Sequence, residues 1–160
     1  MDERINININ YINPFLVGAS LVFNQLLNVD IRRGKAKVTS VPNPINDVII
    51  MVEIEGNATG YVLYSFSFFT ITKIAEALMP GLSEEQIMDE YKDIVGELAN
   101  MITGNAMNLL SKSGLDISTP VVMHRNDLVA RSPGQFTVLV LTQYSPYGQL
   151  EITIVLKSNV

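Results

Sequence analysis

Glu97 and Asn100 stand three residues apart in the most regular stretch of the chain. A carboxylate accepts hydrogen bonds and pairs with cations, while a carboxamide accepts through its oxygen and donates through its nitrogen. An amide has no useful basicity near neutral pH, so Asn100 can orient a group but cannot take its proton. With each residue set about 100° on from the last, Ile87, Tyr91, Ile94, Val95, Leu98, Ile102, Ala106 and Leu109 gather on one side of a helix. That side must be the core face. The opposite side collects Glu90, Asp93, Glu97, Asn100, Gly104 and Asn108, with Met101 and Met107 at its edges. Residues three apart on such a ridge are neighbours, so the carboxylate and the amide stand together.

Alone, Glu-x-x-Asn is a weak signal. It recurs at Glu3-Arg4-Ile5-Asn6, and an exposed Glu and Asn are most often plain surface. Two details add to it. Asparagine is a poor helix former, yet Asn100, Asn105 and Asn108 all fall inside the pattern, and Gly104 costs roughly 1 kcal/mol relative to alanine. A glycine on an outward ridge admits close approach, either by a partner or by a neighbouring helix of the same chain. The pattern points to a contact face and carries no chemistry by itself.

Other chemistry finds little support. The chain has no cysteine and a single histidine, His124, so thiolate and paired-histidine metal sites are excluded. With Arg125, Asn126 and Asp127, His124 reads as a surface loop rather than a catalytic base. Gly96 and Gly104 lie within a helix and form no phosphate-cradling loop. The seven methionines are expected mostly in the core, with Met101 as an interface contact. A net charge of −5 argues against nucleic acid. The apolar runs are broken well short of a membrane span, and Met1-Asp2-Glu3-Arg4 lacks the order of a signal peptide. Asn57-Ala58-Thr59 is read as an incidental sequon. At 160 residues the chain suits one acidic cytoplasmic domain, 1–160, with about 1–12 as a loosely ordered lead-in.

The elements that must position the ridge follow from local signals. Asn13-Pro14 reads as an N-cap and first helical residue, predicting a helix from Pro14 to about Leu27. The alternating Ile5 to Asn10 before it is open between strand and lead-in. Pro42-Asn43-Pro44 punctuates the chain. Val48–Ile54 and Gly60–Phe66 form a hairpin around Glu55–Thr59, and a helix follows from Thr70 to Met79. Ser83 and Gln86 make a capping box opening a long helix from about Glu84 to Lys112. Short strand candidates lie near Ile117, Val121 and Leu128. Phe136–Tyr144 and Leu150–Leu156 form a second hairpin across Ser145-Pro146-Tyr147-Gly148. Helices and antiparallel hairpins in this order predict an α+β two-layer sandwich, long helices on one face of a mainly antiparallel sheet.

Gly96-Glu97-Leu98-Ala99-Asn100-Met101-Ile102-Thr103-Gly104-Asn105-Ala106 resembles the signature helix of the CheC/CheX family of chemotaxis phosphatases. The likeness continues through Leu115-Asp116-Ile117-Ser118-Thr119-Pro120-Val121-Val122, and Tyr11-Ile12-Asn13-Pro14-Phe15 resembles the family's first helix start. CheC proteins typically carry two acidic-asparagine helices. This chain shows one, which is similar to the CheX branch.

The resemblance implies a phosphatase acting on a phosphorylated CheY-type response regulator. Asn100 would enter the partner's active site and align the attacking water, as a glutamine does in small GTPases. Glu97 would pair with the partner's active-site lysine. The regulator would bring its own divalent metal (Mg), with no cofactor held by this chain. It further implies a homodimer joined through sheet edges, and no nucleic acid or membrane partner. Asp93, where the family often has serine, adds negative charge beside the pair and bears on partner affinity, together with Met101, Gly104 and Asn108. A reading from another class is a non-catalytic dimeric adaptor on the same fold, which loss of Asn100 would leave little changed.

Overall fold

The computed structural model describes residues 9–39, 44, 46–110, 114–128 and 137–158. The chain runs α1 (Ile9–Leu27), β1 (Arg32–Thr39), β2 (Val48–Gly56), β3 (Ala58–Phe66), α2 (Phe68–Leu78), α3 (Glu84–Leu110), β4 (Leu115–Ile117), β5 (Val121–His124), β6 (Thr137–Ser145) and β7 (Gly148–Ser158). The strands form one sheet in the order β1-β6-β7-β3-β2, with β4 and β5 both paired to β2, and every pairing is antiparallel. The α+β architecture expected from the sequence is the one observed.

Alternation along the central strands sets the layers. Val48, Ile50, Val52 and Ile54 of β2 share a face with Val62, Tyr64 and Phe66 of β3. These join Phe15, Ala19, Val22 and Phe23 of α1 and Val95, Leu98 and Ile102 of α3 in one buried core. The capping box forms as read. The Ser83 N–H donates to Gln86 Oε1 at 2.9 Å, and the Gln86 N–H donates to Ser83 Oγ at 3.2 Å. The second helix starts two residues earlier than expected, because the Ser67 hydroxyl accepts from the Thr70 N–H and caps it there. The two hairpins close more tightly than their turn signals suggest. β2 and β3 leave only Asn57 between them, and β6 and β7 only Pro146 and Tyr147.

Two expectations are corrected at the N-terminal side. Helix α1 starts at Ile9, so Asn13 is no N-cap, Pro14 lies inside the helix, and residues 9–12 are helical rather than lead-in. Pro14 removes one backbone bond, and burial of Ile12 alongside Phe15 and Leu16 offsets that loss. The helix stops where Asn28 turns left-handed (φ 53°). There the Asn28 N–H reaches Asn24 O, the 5→1 bond of an αL closure, and the Val29 N–H reaches Phe23 O. Strand β1 was not expected at all. Its residues from Arg32 to Val38 are exposed, and the Gly34, Ala36 and Val38 that alternate with Arg33, Lys35 and Lys37 are too weakly apolar to betray an edge strand. Leu128 follows a 3-10 turn (Arg125–Asp127) and lies in no strand. Residues 5–8, Pro42, Asn43, Lys112 and Phe136, on which other expectations fell, lie outside the described residues.

The closest backbone approach in the helical layer is at Gly18. A Cβ placed on Gly18 of α1 would sit 2.7 Å from the Ile102 carbonyl oxygen and 3.3 Å from the Ala106 nitrogen of α3. Backbone meets backbone there. Gly18→Ala is expected to lower stability by about 1–3 kcal/mol through overpacking, read as a fall in the thermal midpoint. An unchanged midpoint would mean that the helices separate without cost.

Candidate functional site

Helix α3 spans 27 residues, roughly 40 Å at 1.5 Å per residue. It lies between α1 and the sheet. On the α1 side the Gly18 contact fixes its distance, and on the sheet side Gly96 faces Val122 of β5. Beneath it the Tyr64 hydroxyl lies 3.4 Å from Thr103 Oγ1. Tyr64 is fully buried, and burial pushes its hydroxyl pKa far up, so it stays neutral and serves only as a hydrogen-bonding anchor.

The outward ridge is as expected. Glu90, Asp93, Glu97, Asn100, Gly104 and Asn108 are all exposed, with Met101 and Met107 half-buried at the edges. Met101 packs against the core from the ridge side. Glu97 and Asn100 are thus exposed neighbours on a helix whose inner face is locked. Gly104 resolves the choice left open by the sequence. A Cβ there would meet no atom within 4 Å, so no neighbouring helix among the described residues occupies that space. The close approach between helices belongs instead to Gly18, which the sequence reading passed over. Its signal was its place among Phe15, Ala19, Val22 and Phe23 on the apolar stripe.

Three expectations for this region are corrected. Leu109 is 55 % exposed, whereas Leu110 is buried. The buried row advances in steps of four through Leu98, Ile102, Ala106 and Leu110, and so drifts off the line that included Leu109. None of the six described methionines belongs to the buried core: Met79 and Met88 are exposed, and Met51, Met101, Met107 and Met123 are partly buried. His124 ends strand β5 rather than lying in a loop, and its Nδ1 accepts from the Asn126 N–H at 3.1 Å. That nitrogen caps the following 3-10 turn, a structural use of the ring.

Charge is unevenly spread. Glu84, Glu85, Asp89, Glu90, Asp93 and Glu97 line the exposed side of α3, while the cations of β1 occupy a sheet edge. No helix among the described residues is long and apolar enough to cross a membrane.

The family model for the chemotaxis phosphatase CheX matches residues 48–143, the segment holding the central hairpin and all of α3. The chain belongs to the CheX family. A curated relative, the CheY-P phosphatase CheX of Thermotoga maritima, is 27% identical over 147 residues, covering 91% of each chain. Among solved structures, a CheC-like superfamily protein from Shewanella sp. PV-4 superposes with a TM-score of 0.80 at 28% identity, over 95% of this chain and 100% of that one. The CheX of a Borrelia burgdorferi CheX–CheY–BeF3–Mg2+ complex superposes with a TM-score of 0.73 at 25% identity, over 94% and 100%. Helix α3, which carries the ridge, lies within the matched segment and on the family's fold.

Removing the anchor under that ridge has a defined cost. Tyr64→Phe deletes one hydroxyl without touching Glu97 or Asn100, and is expected to destabilise the fold by about 1 kcal/mol. The thermal midpoint should fall by about 2–4 °C. No fall would show that the 3.4 Å contact contributes nothing.

Proposed function

We propose that this protein removes the phosphoryl group from a phosphorylated CheY-type response regulator, with Glu97 and Asn100 as its working pair. The observation that carries the reading is their side-by-side exposure on a helix locked from beneath, within the segment matched by the family model. The CheY-P phosphatase among its relatives and the CheX–CheY complex among its structural neighbours support the choice of substrate.

An aspartyl phosphate is an activated acyl phosphate. Its hydrolysis forms a bond from a water oxygen to phosphorus as the bond from phosphorus to the aspartate oxygen breaks. The carboxylate leaves, and inorganic phosphate and a proton are released. What the partner lacks is a group that holds the water in line. The Asn100 carbonyl oxygen accepts from that water while the NH₂ donates elsewhere, so the contribution is orientation. A magnesium ion bound by the regulator supplies charge neutralisation at the phosphoryl oxygens, as the Mg2+ of the related complex suggests.

Glu97 would add repulsion if it faced the phosphoryl group directly. Its role is to pair with the regulator's active-site lysine, which sets the register of docking. Asp93 and Glu90 extend the negative field along the ridge and steer a basic rim toward it. Met101 supplies apolar contact at the α1 edge, and Gly104 and Asn108 continue the docking line. A homodimer joined through sheet edges fits the β1 edge, the longer of the two among the described strands, since the opposite edge is split between β4 and β5. The cytoplasm, where such a regulator works, is its place of action.

The test is phosphate release from a phosphorylated CheY-type regulator, followed with each variant over a range of regulator concentrations. Asn100→Ala should bind but lose roughly 100-fold or more of the saturated rate. Asn100→Asp should not restore it, because a base is not what is missing. Glu97→Ala should raise the half-saturating concentration strongly, and added salt should weaken the wild type in the same direction. A wild type that binds the regulator without accelerating release would make the protein an adaptor.

A further inference from the structure

Gly104 lies one helical turn beyond Asn100, and Gly96 one turn before it. The fold requires neither glycine. Neither has a positive φ. A Cβ at Gly104 would meet nothing within 4 Å, and one at Gly96 would touch only Val122 Cγ2 at 3.7 Å, an ordinary contact. Gly18 on α1 is the contrast, since there a methyl group collides with the backbone of α3. Alanine at 104 would fit and would strengthen the helix. The glycine therefore lowers stability without any return among the described residues.

Its position suggests the return. Side chains on a helix lean toward its N-terminus, so each covers surface over the turn before its own Cα. A side chain at 104 would lean over Asn100, about 6 Å away along the axis. Gly96, one turn the other way, faces Val122 of β5 and lies off the outward ridge. Asparagine is short. In a doubly wound receiver domain the active site lies in a crevice outside the carboxyl ends of the strands. A short amide reaches into such a crevice only if the backbone of its own helix comes close to the rim. That approach is possible where the next ridge position, Gly104, carries no side chain.

We propose that Gly104 is a positioning residue for the dephosphorylation reaction. Its missing side chain lets the active-site rim of the phosphorylated receiver domain close against α3, so that Asn100 reaches the phosphoryl group. This rests on the reading of Asn100 given above. Glu97, on the adjacent line of the ridge and with a longer side chain, meets a cation on the rim and needs no such clearance.

The experiment compares wild type, Gly104→Ala, Gly104→Leu and, as a control for added apolar bulk elsewhere on α3, Lys92→Leu. Thermal midpoints and concentration-dependent dephosphorylation of the same phosphorylated regulator are measured on each full-length chain. Gly104→Ala should raise the midpoint by about 2–4 °C while raising the half-saturating concentration several-fold. Gly104→Leu should keep a midpoint at or above that of the wild type and raise half-saturation at least roughly tenfold. Lys92→Leu should dephosphorylate like the wild type. A gain in stability with a loss of docking is something a merely structural glycine cannot produce. Wild-type half-saturation and rate in Gly104→Leu would overturn the inference, as would a loss of activity that follows a lowered midpoint. A wild type that does not dephosphorylate the regulator would instead sink the phosphatase reading, and this inference with it.

Discussion

Backbone contact between α1 and α3 is the constraint on which the rest of the molecule depends. Where Gly18 faces the Ile102 carbonyl at a distance that excludes one methyl group, the two helices approach backbone to backbone, and this fixes their spacing and register there. The approach brings Phe15, Ala19 and Val22 into the same core as Leu98 and Ile102, and it presses α3 onto the sheet, where Tyr64 meets Thr103. Once the inner side of α3 is fixed in this way, its outer ridge has no freedom left. Glu97 and Asn100 project from an element held on two sides, which is the preorganisation that an orienting group needs if it is not to lose its effect in motion.

The ridge itself runs against helix stability. Asparagines and glycines are placed where alanine, glutamate or lysine would hold the helix better, and six carboxylates share one exposed side. Helix ends are stabilised in the usual way, with the Ser83–Gln86 box and acidic residues in the first turn of α3. The middle is where the local rules are broken. Departures of this kind concentrate where a surface is shaped for something outside the chain. The opposite pole of charge, the basic strand β1, follows a different logic, since cations on a sheet edge discourage indiscriminate strand pairing and make any edge-to-edge association sensitive to salt.

Much of this was legible in the sequence because the relevant signals are local. The Ser83 box, the outward row from Glu90 to Asn108 and both hairpins follow from residue type and period alone. What stayed hidden was set by tertiary contacts. Asn13-Pro14 looks like a helix start, yet burial of Ile12 carries α1 past it to Ile9. The cationic strand of Arg32, Arg33, Lys35 and Lys37 is set by its pairing with β6, and the small residues alternating with its cations are too weakly apolar to announce it. The exchange of Leu109 for Leu110 at the end of α3 reflects a buried row that drifts with the helix rather than following a fixed line. Gly18 read as one more small residue until its neighbour across the interface was known. The chemistry proposed for the pair lay beyond periodicity altogether: it rests on the likeness to the family, and the structure supplies the exposed helix face on which the two residues stand.

The most direct test of the account is whether the Asn100 side chain itself meets the activated partner. In ¹⁵N-labelled wild-type protein, the Asn100 side-chain NH₂ resonance, assigned by its loss in Asn100→Ala, would be followed as a CheY-type regulator is added with and without beryllofluoride and Mg2+. The account predicts a large shift of that resonance, and of the Glu97 and Gly104 backbone amides, that depends on activation of the regulator, while the amides of β1 stay in place. Shifts confined to another surface, with the Asn100 amide unmoved by a bound and activated regulator, would contradict it.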